Sequence, residues 1–167
     1  ILGMLQLLGM TDLNVNQQEY VNQAIQSSKR LTKLLSDILD LSRVEAGRLE
    51  IVSEPFSFSE AMDSVEHLFA SVARQKGLDL RFYTDPAIPE VMGGDATRLQ
   101  QVLSNLVGNA IKFTPQGEVV VEAFPLPATA PDKRRVLFTV ADSGPGIADA
   151  ELDSLFESFT QVSQGYT

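Results

Sequence analysis

Two asparagines and a lysine, spaced by four and three residues, have the chemistry of a metal–phosphate site. Asn105, Asn109 and Lys112 lie in the stretch DATRLQQVLSNLVGNAIKFTPQG, which runs from residue 95 to residue 117. At about 3.6 residues per turn they fall along one edge of a helix. A neutral amide oxygen can ligate a hard cation such as Mg2+ without repelling a polyphosphate, and a lysine adds a point charge for phosphate. The alternative is a polar surface edge of the kind that any helix has.

The residues around this line predict one continuous helix. Asp95 follows two glycines and can cap the first turn, while Pro115 and Gly117 mark the exit. Apolar residues at helical spacing predict a buried stripe, with the polar line along its edge. The predicted stripe comprises Leu99, Val102, Leu103, Leu106, Ala110 and Phe113, widened by Val107 and Ile111, and the polar line comprises Arg98, Asn105, Asn109 and Lys112.

A second candidate site follows a run of β-forming residues, Arg135–Asp142. This predicted strand leads directly into the sequence DSGPGI, residues 142–147. Two glycines that flank a proline are typical of a simple turn. The alternative is that Gly144 and Gly146 let the backbone approach a flat ligand, while the Asp142 carboxylate accepts a hydrogen bond from an exocyclic amine such as that of adenine.

The only histidine, His67, has a less informative position. It falls on the polar side of a predicted helix, opposite Met62, Val65 and Phe69. We therefore expect an exposed side chain without a catalytic or ligand-binding role.

Composition excludes several classes of protein. The chain has 167 residues, of which 44% are hydrophobic and 21% charged, as is typical of globular proteins. Its net charge of −9 argues against a surface for nucleic acid or anionic membranes. The absence of cysteine excludes disulfides and thiolate metal sites and is compatible with the cytoplasm. The apolar opening, ILGMLQLLGM, is too short to span a bilayer.

The first part of the chain predicts a helical hairpin. One helix covers residues 1 to about 10, a turn follows at 11–14, and a long heptad-like helix runs from Gln17 to Ala46. The heptad stripe is wide, as in a four-helix bundle, which a hairpin can complete by pairing with a second copy. The alternative is a hairpin that packs only on its own chain. The stripe comprises Val21, Ala24, Ser28, Leu31, Leu35, Ile38 and Ser42.

From residue 48 onward the pattern becomes mixed α and β. A Ser-x-x-Glu capping box at Ser57 opens a helix that continues to about Lys76. Strands and helices with one apolar face each predict a two-layer α/β sandwich with a largely antiparallel sheet. The predicted strands are Leu49–Val52, Leu78–Tyr83, Glu118–Phe124 and Arg135–Asp142. Asp149 is predicted to cap a last helix with Leu152, Leu155, Phe156 and Phe159 on one side.

The order and spacing of these motifs resemble the core of sensor histidine kinases, in particular the hybrid members. Residues 105–114 match the N box of that family, residues 142–147 its G1 box, and residues 155–159 its F box. Residues 34–47 are similar to the second helix of its dimerisation hairpin. The resemblance covers nearly the whole chain. It implies an α+β fold with a dimerisation hairpin at 1–47 and, at 48–167, an ATP-binding domain of the histidine kinase, gyrase and heat-shock chaperone ATPase type.

The resemblance also implies cofactors, partners and roles for residues. Asn109 would ligate Mg2+, with Asn105 and Lys112 on the phosphates of ATP. Asp142 would bind adenine, and Gly144 and Gly146 would shape the pocket. The family forms homodimers and transfers the γ-phosphate of ATP to a histidine and then to an aspartate of a response-regulator receiver domain. The same resemblance implies a cytoplasmic location for this part of the protein. In some members of the family, the whole protein is anchored in a membrane.

Two boxes of the family pattern have no counterpart in the sequence. The H box with the phosphoacceptor histidine would precede Ile1, and the G2 box would follow Thr167. We therefore assign no catalytic residue and expect these 167 residues alone not to phosphorylate themselves.

Two other functions remain as alternatives. An ATPase of the same fold would carry a general-base glutamate where this chain has Asn105, and an amide cannot deprotonate water. A non-catalytic dimerising scaffold would not need Asn109, Lys112 and Asp142 together. Both alternatives are thus less favoured than the kinase core.

Overall fold

The computed structural model describes residues 1–130 and 133–148, and the chain divides into two compact units. The first unit is Ile1–Glu50, and the second begins at Ile51. Among the described residues, no helix has the length and apolar character needed to cross a membrane. The elements are α1 (Leu2–Leu8), α2 (Val15–Glu45), β1 (Glu54–Ser57), α3 (Phe58–Lys76), β2 (Leu78–Thr84), β3 (Val91–Gly94), α4 (Ala96–Phe113), β4 (Gly117–Leu126) and β5 (Arg135–Asp142).

The first unit is the predicted helical hairpin. Asn14 begins α2 with a reciprocal cap: its Oδ1 accepts from the Gln17 backbone N–H at 3.0 Å, and Gln17 Oε1 accepts from the Asn14 N–H at 3.0 Å. The two helices meet where Gly9 faces Val21, since a Cβ at residue 9 would lie 3.6 Å from Val21 Cγ1. Gly47 follows the end of α2 with a φ of 65°, which favours glycine.

The apolar stripe of α2 remains largely uncovered in this hairpin. Val21 is the buried residue of α2, with 6% of its surface exposed. Farther along the helix, Leu31 is 59% exposed, Leu35 54% and Ile38 52%. Large apolar side chains exposed to this extent on one helix are typical of an interaction surface.

The second unit contains a three-stranded sheet in the order β2-β4-β5. β2 and β4 are parallel, with Leu78 opposite Gly117, because β3 and α4 carry the chain back across the sheet between them. β5 returns antiparallel to β4, with Val121 opposite Val140. A separate antiparallel pair joins β1 to β3.

Two helices cover one face of this sheet, so the predicted two-layer sandwich is confirmed. α3 packs on β2, and α4 packs on α3, β4 and β5. The predicted inward alternation of β2 is also confirmed, since Leu78 is buried and Leu80 and Phe82 pack against the core. The core consists of Phe58, Met62, Val65, Ala73, Leu78, Ile88, Leu103, Val107, Ala110, Ile111, Val119, Val121 and Ala123.

The short strand pair differs from the sequence-based prediction. Residues 49–52 are not a strand; β1 lies at Glu54–Ser57, and its partner β3 was not predicted. Both strands have only four residues, and Pro55 lies opposite Gly93 in their register. Proline and glycine are poor strand residues in general, and they are tolerated here in a short two-stranded pair. The pattern therefore carries no β signal at either strand.

The start of α3 is held by three polar side chains. Ser57 Oγ accepts from the Glu60 backbone N–H at 3.1 Å, which confirms the Ser57 side of the predicted capping box. The Ser57 and Ser59 hydroxyls both donate to Glu90 Oε1, at 2.6 and 2.7 Å. These hydroxyls, Ser57 first, hold the pKa of Glu90 below its ordinary value.

Candidate functional site

The start of α4 is fixed by both oxygens of Asp95. Oδ1 accepts from the Arg98 backbone N–H at 3.0 Å, as the predicted N-cap requires. Oδ2 accepts from the Val52 backbone N–H at 3.2 Å and so ties the beginning of the second unit to α4. The hydrogen bond from Arg98 and, more weakly, the one from Val52 hold the pKa of Asp95 below its ordinary value, against the opposing effect of desolvation.

The lowered pKa of Asp95 predicts a defined loss of stability in acid. A carboxyl whose pKa is lower in the folded protein stabilises the fold above its ordinary pKa of 3.8, and this stabilisation is lost as the pH falls through the folded value. We expect Asp95→Ala to lower the melting temperature at neutral pH. As the pH falls below the ordinary pKa of 3.8, the difference in melting temperature between this variant and the parent should become progressively smaller. Calorimetry as a function of pH measures this difference. Asp63→Ala, on the exposed side of α3, is the matched control. A difference that grows on acidification would contradict the prediction.

The buried face of α4 is rotated relative to the predicted stripe. Its buried residues are Leu103, Val107, Ala110 and Ile111. In contrast, Val102 is 56% exposed, and Leu106 and Phe113 are each 47% exposed. The stripe was therefore wrong at these three positions, because the sheet and α3 contact the helix on the side of Val107. The three exposed apolar residues form a strip between the buried face and the line of amides.

The three predicted site residues of α4 all lie at its surface. Asn105, Asn109 and Lys112 are exposed on successive turns of the same helix edge. Side chains three or four residues apart on a helix have Cβ atoms about 5–6 Å apart, so one small ligand can contact all three. Lys112 Nζ lies 4.6 Å from the centre of the Phe113 ring, which borders the same edge. The helix thus presents two amides and an ammonium beside an apolar strip.

The DSGPGI loop meets the end of α4 at the Asp142 carboxylate. Asp142 Oδ1 accepts from the Gly144 backbone N–H at 2.8 Å and from Thr114 Oγ1 at 3.3 Å. Within the described part of the chain, Oδ1 is the oxygen of this carboxylate that accepts hydrogen bonds. Since Asp142 is exposed, its other oxygen can accept a donor from a ligand.

Gly144 is required by close packing within the chain itself. A Cβ at this residue would lie 2.7 Å from Asp142 Oδ1, 3.0 Å from the Phe113 carbonyl oxygen and 3.3 Å from Thr114 Oγ1. The sequence left open a simple turn or the approach of a flat ligand, and the structure adds that the backbone at Gly144 lies close to the end of α4. Gly146 has a φ of 73°, a conformation that favours glycine.

Three residues at this site were missed by the sequence analysis. Thr114 is completely buried while its hydroxyl contacts Asp142. Ser143 Oγ accepts from the Glu118 backbone N–H at 2.9 Å and fixes the loop to β4. Lys76 Nζ donates to the carbonyl oxygens of Ile111 and Lys112. Two of these contacts end on backbone atoms, and such contacts leave no pattern in the side chains.

The other sequence predictions fall outside this site. His67 is exposed on α3, as expected, and its Nδ1 lies 2.7 Å from the Asp63 carbonyl oxygen. The helix predicted from Asp149 and the F box at 155–159 lie outside the described residues.

The donor set decides how a metal ion could bind here. Residues 1–130 and 133–148 contain no group of three or more histidine, aspartate or glutamate side chains that could hold a metal ion. Mg2+ retains several waters and commonly takes only one or two protein ligands together with phosphate oxygens. A single amide such as that of Asn109 fits this second mode of binding.

Comparison with known proteins identifies two domain families in this chain. Residues 1–47 match the sequence model of the family described as "His Kinase A (phospho-acceptor) domain". Residues 94–167 match that of the family described as "Histidine kinase-, DNA gyrase B-, and HSP90-like ATPase". The chain is 38% identical over 162 residues to hybrid signal transduction histidine kinase L of Dictyostelium discoideum. That alignment covers 97% of this chain but 9% of the relative.

Two solved structures share the fold, and one of them is the histidine kinase ThkA. Full-length ShkA in complex with AMPPNP matches with a TM-score of 0.79 and 34% identity, over 96% of this chain and 34% of that chain. ThkA in complex with the response regulator protein TrrA matches with a TM-score of 0.64 and 25% identity, over 96% of this chain and 46% of that chain. The chain therefore belongs to the histidine kinase family and contains the catalytic core of a sensor kinase, with its phosphoacceptor-type and ATPase-type domains.

Proposed function

We propose that this chain binds Mg2+-ATP along the exposed edge of α4. The observation that carries the proposal is the junction of Asp142, Thr114 and Gly144 at the end of the helix that exposes Asn109 and Lys112. From Asn109 to Thr114 the helix rises about 7.5 Å, at about 1.5 Å per residue. One nucleotide can therefore contact the carboxylate with its base while its phosphates reach the amides and the lysine.

Each residue would contribute in a different way. Asp142 would accept a hydrogen bond from the adenine amine, with Thr114 holding the carboxylate in place. Asn109 would supply one oxygen to Mg2+, and Asn105 and Lys112 would contact phosphate oxygens. The metal, when bound, neutralises charge on the phosphates. Phosphoryl transfer depends mainly on such positioning and charge neutralisation.

In the protein that contains this core, we propose transfer of the γ-phosphate to a histidine and then to an aspartate of a response-regulator receiver domain. His67 would not be the acceptor, because it lies exposed on α3 in the ATP-binding domain. ThkA is in complex with a response regulator in its solved structure, which supports a partner of this class. An ATPase of the same fold is less favoured, since Asn105 cannot take a proton from water.

We further propose that the hairpin at 1–47 dimerises and that the ATP-binding domain, at 48–167, acts from the cytoplasm. The exposed stripe of α2 supports the first part, because a second hairpin would cover it as in a four-helix bundle. The match of residues 1–47 to the phosphoacceptor domain model supports the same assembly. The acidic, cysteine-free composition supports the second part.

Asn109→Asp tests the metal–phosphate site. An aspartate would still hold the metal but would repel phosphate oxygens, so the affinity for AMPPNP with Mg2+ should fall by about 1–3 kcal/mol. Isothermal titration calorimetry measures the loss. Asn22→Asp makes the same chemical change on exposed α2 and should leave the affinity unchanged. Equal affinities for the parent and Asn109→Asp would remove Asn109 from the site.

A further inference from the structure

The last turn of α3 reaches across to the end of α4 through one side chain. Lys76 Nζ donates to the Ile111 carbonyl oxygen at 2.8 Å and to the Lys112 carbonyl oxygen at 3.2 Å. The contact to Ile111 is partly buried, and both acceptors belong to the final turn of α4. Charge-assisted hydrogen bonds of this kind are stronger than those between neutral groups.

This contact satisfies carbonyls that a helix leaves without partners. The last four carbonyls of an α-helix have no N–H within the helix to accept from. In α4 the Ala110 carbonyl accepts from the Thr114 N–H at 3.0 Å, and Lys76 serves those of Ile111 and Lys112. The ammonium also lies at the negative end of the helix dipole, where a cation is favourable.

The turn that Lys76 holds is the one that shapes the candidate site. It exposes Lys112 and leads directly into Thr114, whose hydroxyl contacts Asp142. The next carbonyl, that of Phe113, is the one against which Gly144 packs. A shift of this turn would therefore move a phosphate-contacting residue and the partners of the Asp142 carboxylate together.

We propose that Lys76 is a positioning residue for nucleotide binding, which it supports by fixing the last turn of α4 from outside the pocket. The inference rests on the proposed ATP site. It differs from the roles assigned above, since Lys76 belongs to none of the motifs and contacts α4 through its backbone. Its effect on a nucleotide would come entirely through Lys112, Thr114 and Asp142.

Lys76→Met and Lys76→Arg test this role in the 167-residue chain. The methionine keeps most of the apolar stem but removes the donors and the charge, and should weaken binding of AMPPNP with Mg2+ about tenfold. It should also shift the amide resonances of Thr114 and Gly144 in the nucleotide-free protein. The arginine retains charge and donors and should restore most of the affinity and the parent resonances. Arg74→Met removes the other cation of the same turn and should change neither.

The outcomes separate this inference from the proposed site. If Asn109→Asp weakens binding while Lys76→Met does not, the positioning role fails and the site stands. If neither variant changes the affinity, the proposed site fails together with the inference. An equal loss in Arg74→Met would show a general charge effect and overturn the inference. No recovery in Lys76→Arg would show that a charged donor at this position does not set the affinity, and would overturn it as well. Should Lys76→Met not fold, Lys76→Gln, which keeps N–H donors without the charge, serves for the same comparison.

Discussion

Replacing Leu31 and Leu35 together with lysine should convert a dimeric chain into a monomer. Both side chains are more than half exposed in the single hairpin and lie in the apolar stripe of α2. In a paired four-helix bundle they would be buried, and each buried leucine contributes about 1.5–3 kcal/mol. A symmetric dimer loses four leucines and gains four charges in its core. Association should therefore weaken by at least about a thousandfold.

Sedimentation velocity across a dilution series measures this change. Gln26→Lys with Ser36→Lys adds the same charge at two exposed positions of α2 outside the stripe and should leave the dimer intact. Calorimetry establishes whether the second unit of the monomeric variant still unfolds at the parent temperature. If the doubly substituted chain sediments like the parent at every concentration, the hairpin does not dimerise through this face.

Gly117→Ala should destabilise the second unit by about 2–4 kcal/mol, because strained backbone and a steric clash add at one residue. Gly117 begins β4 with a φ of 114°, which L side chains rarely adopt. A Cβ there would also lie 3.2 Å from Ser143 Cβ and would overlap Ser143 Oγ. Ser143 cannot turn away without giving up the 2.9 Å hydrogen bond from the Glu118 N–H. Because Ser143 lies between Asp142 and Gly144, AMPPNP affinity should fall as well.

Differential scanning calorimetry measures the loss of stability. Gly93→Ala is the matched control, since a Cβ in that strand meets no atom within 4 Å, and should change stability by less than about 0.5 kcal/mol. Adding Ser143→Gly to Gly117→Ala removes the clash but keeps the strained φ, so it should recover only part of the loss. Unfolding of Gly117→Ala at the parent temperature would contradict this account.

Helices and strands whose boundaries or faces are marked by neighbouring residues in the sequence were predicted correctly. The caps at Ser57 and Asp95 lie where polar side chains precede apolar runs, and β5 has the predicted bounds. Strict alternation likewise predicted which side of β2 faces the core. In each case the signal and the structure involve residues that are close together along the chain.

Other features depend on partners far away in sequence, and the pattern could not supply them. The apolar residues of α4 cover more than half of its circumference, so only the position of the sheet decides that Val107 is buried and Val102 exposed. β1 and β3 are strands because each pairs with the other, although their residues have low strand propensity. The spacing of the Asn-Lys line and of DSGPGI predicted a site. The contact between Thr114 and Asp142, which joins the end of α4 to the DSGPGI loop, could be found only from the three-dimensional structure.

The contact between Lys76 and α4 also has a consequence for how related sequences vary. Lys76 binds carbonyl oxygens, which every amino acid carries, so substitutions at residues 111 and 112 leave its acceptors in place. No compensating exchange at another position is needed when those side chains change. In an alignment of relatives, Lys76 should therefore show little covariation with the last turn of α4, even though the two are in direct contact. Methods that infer contacts from correlated substitutions would overlook this one.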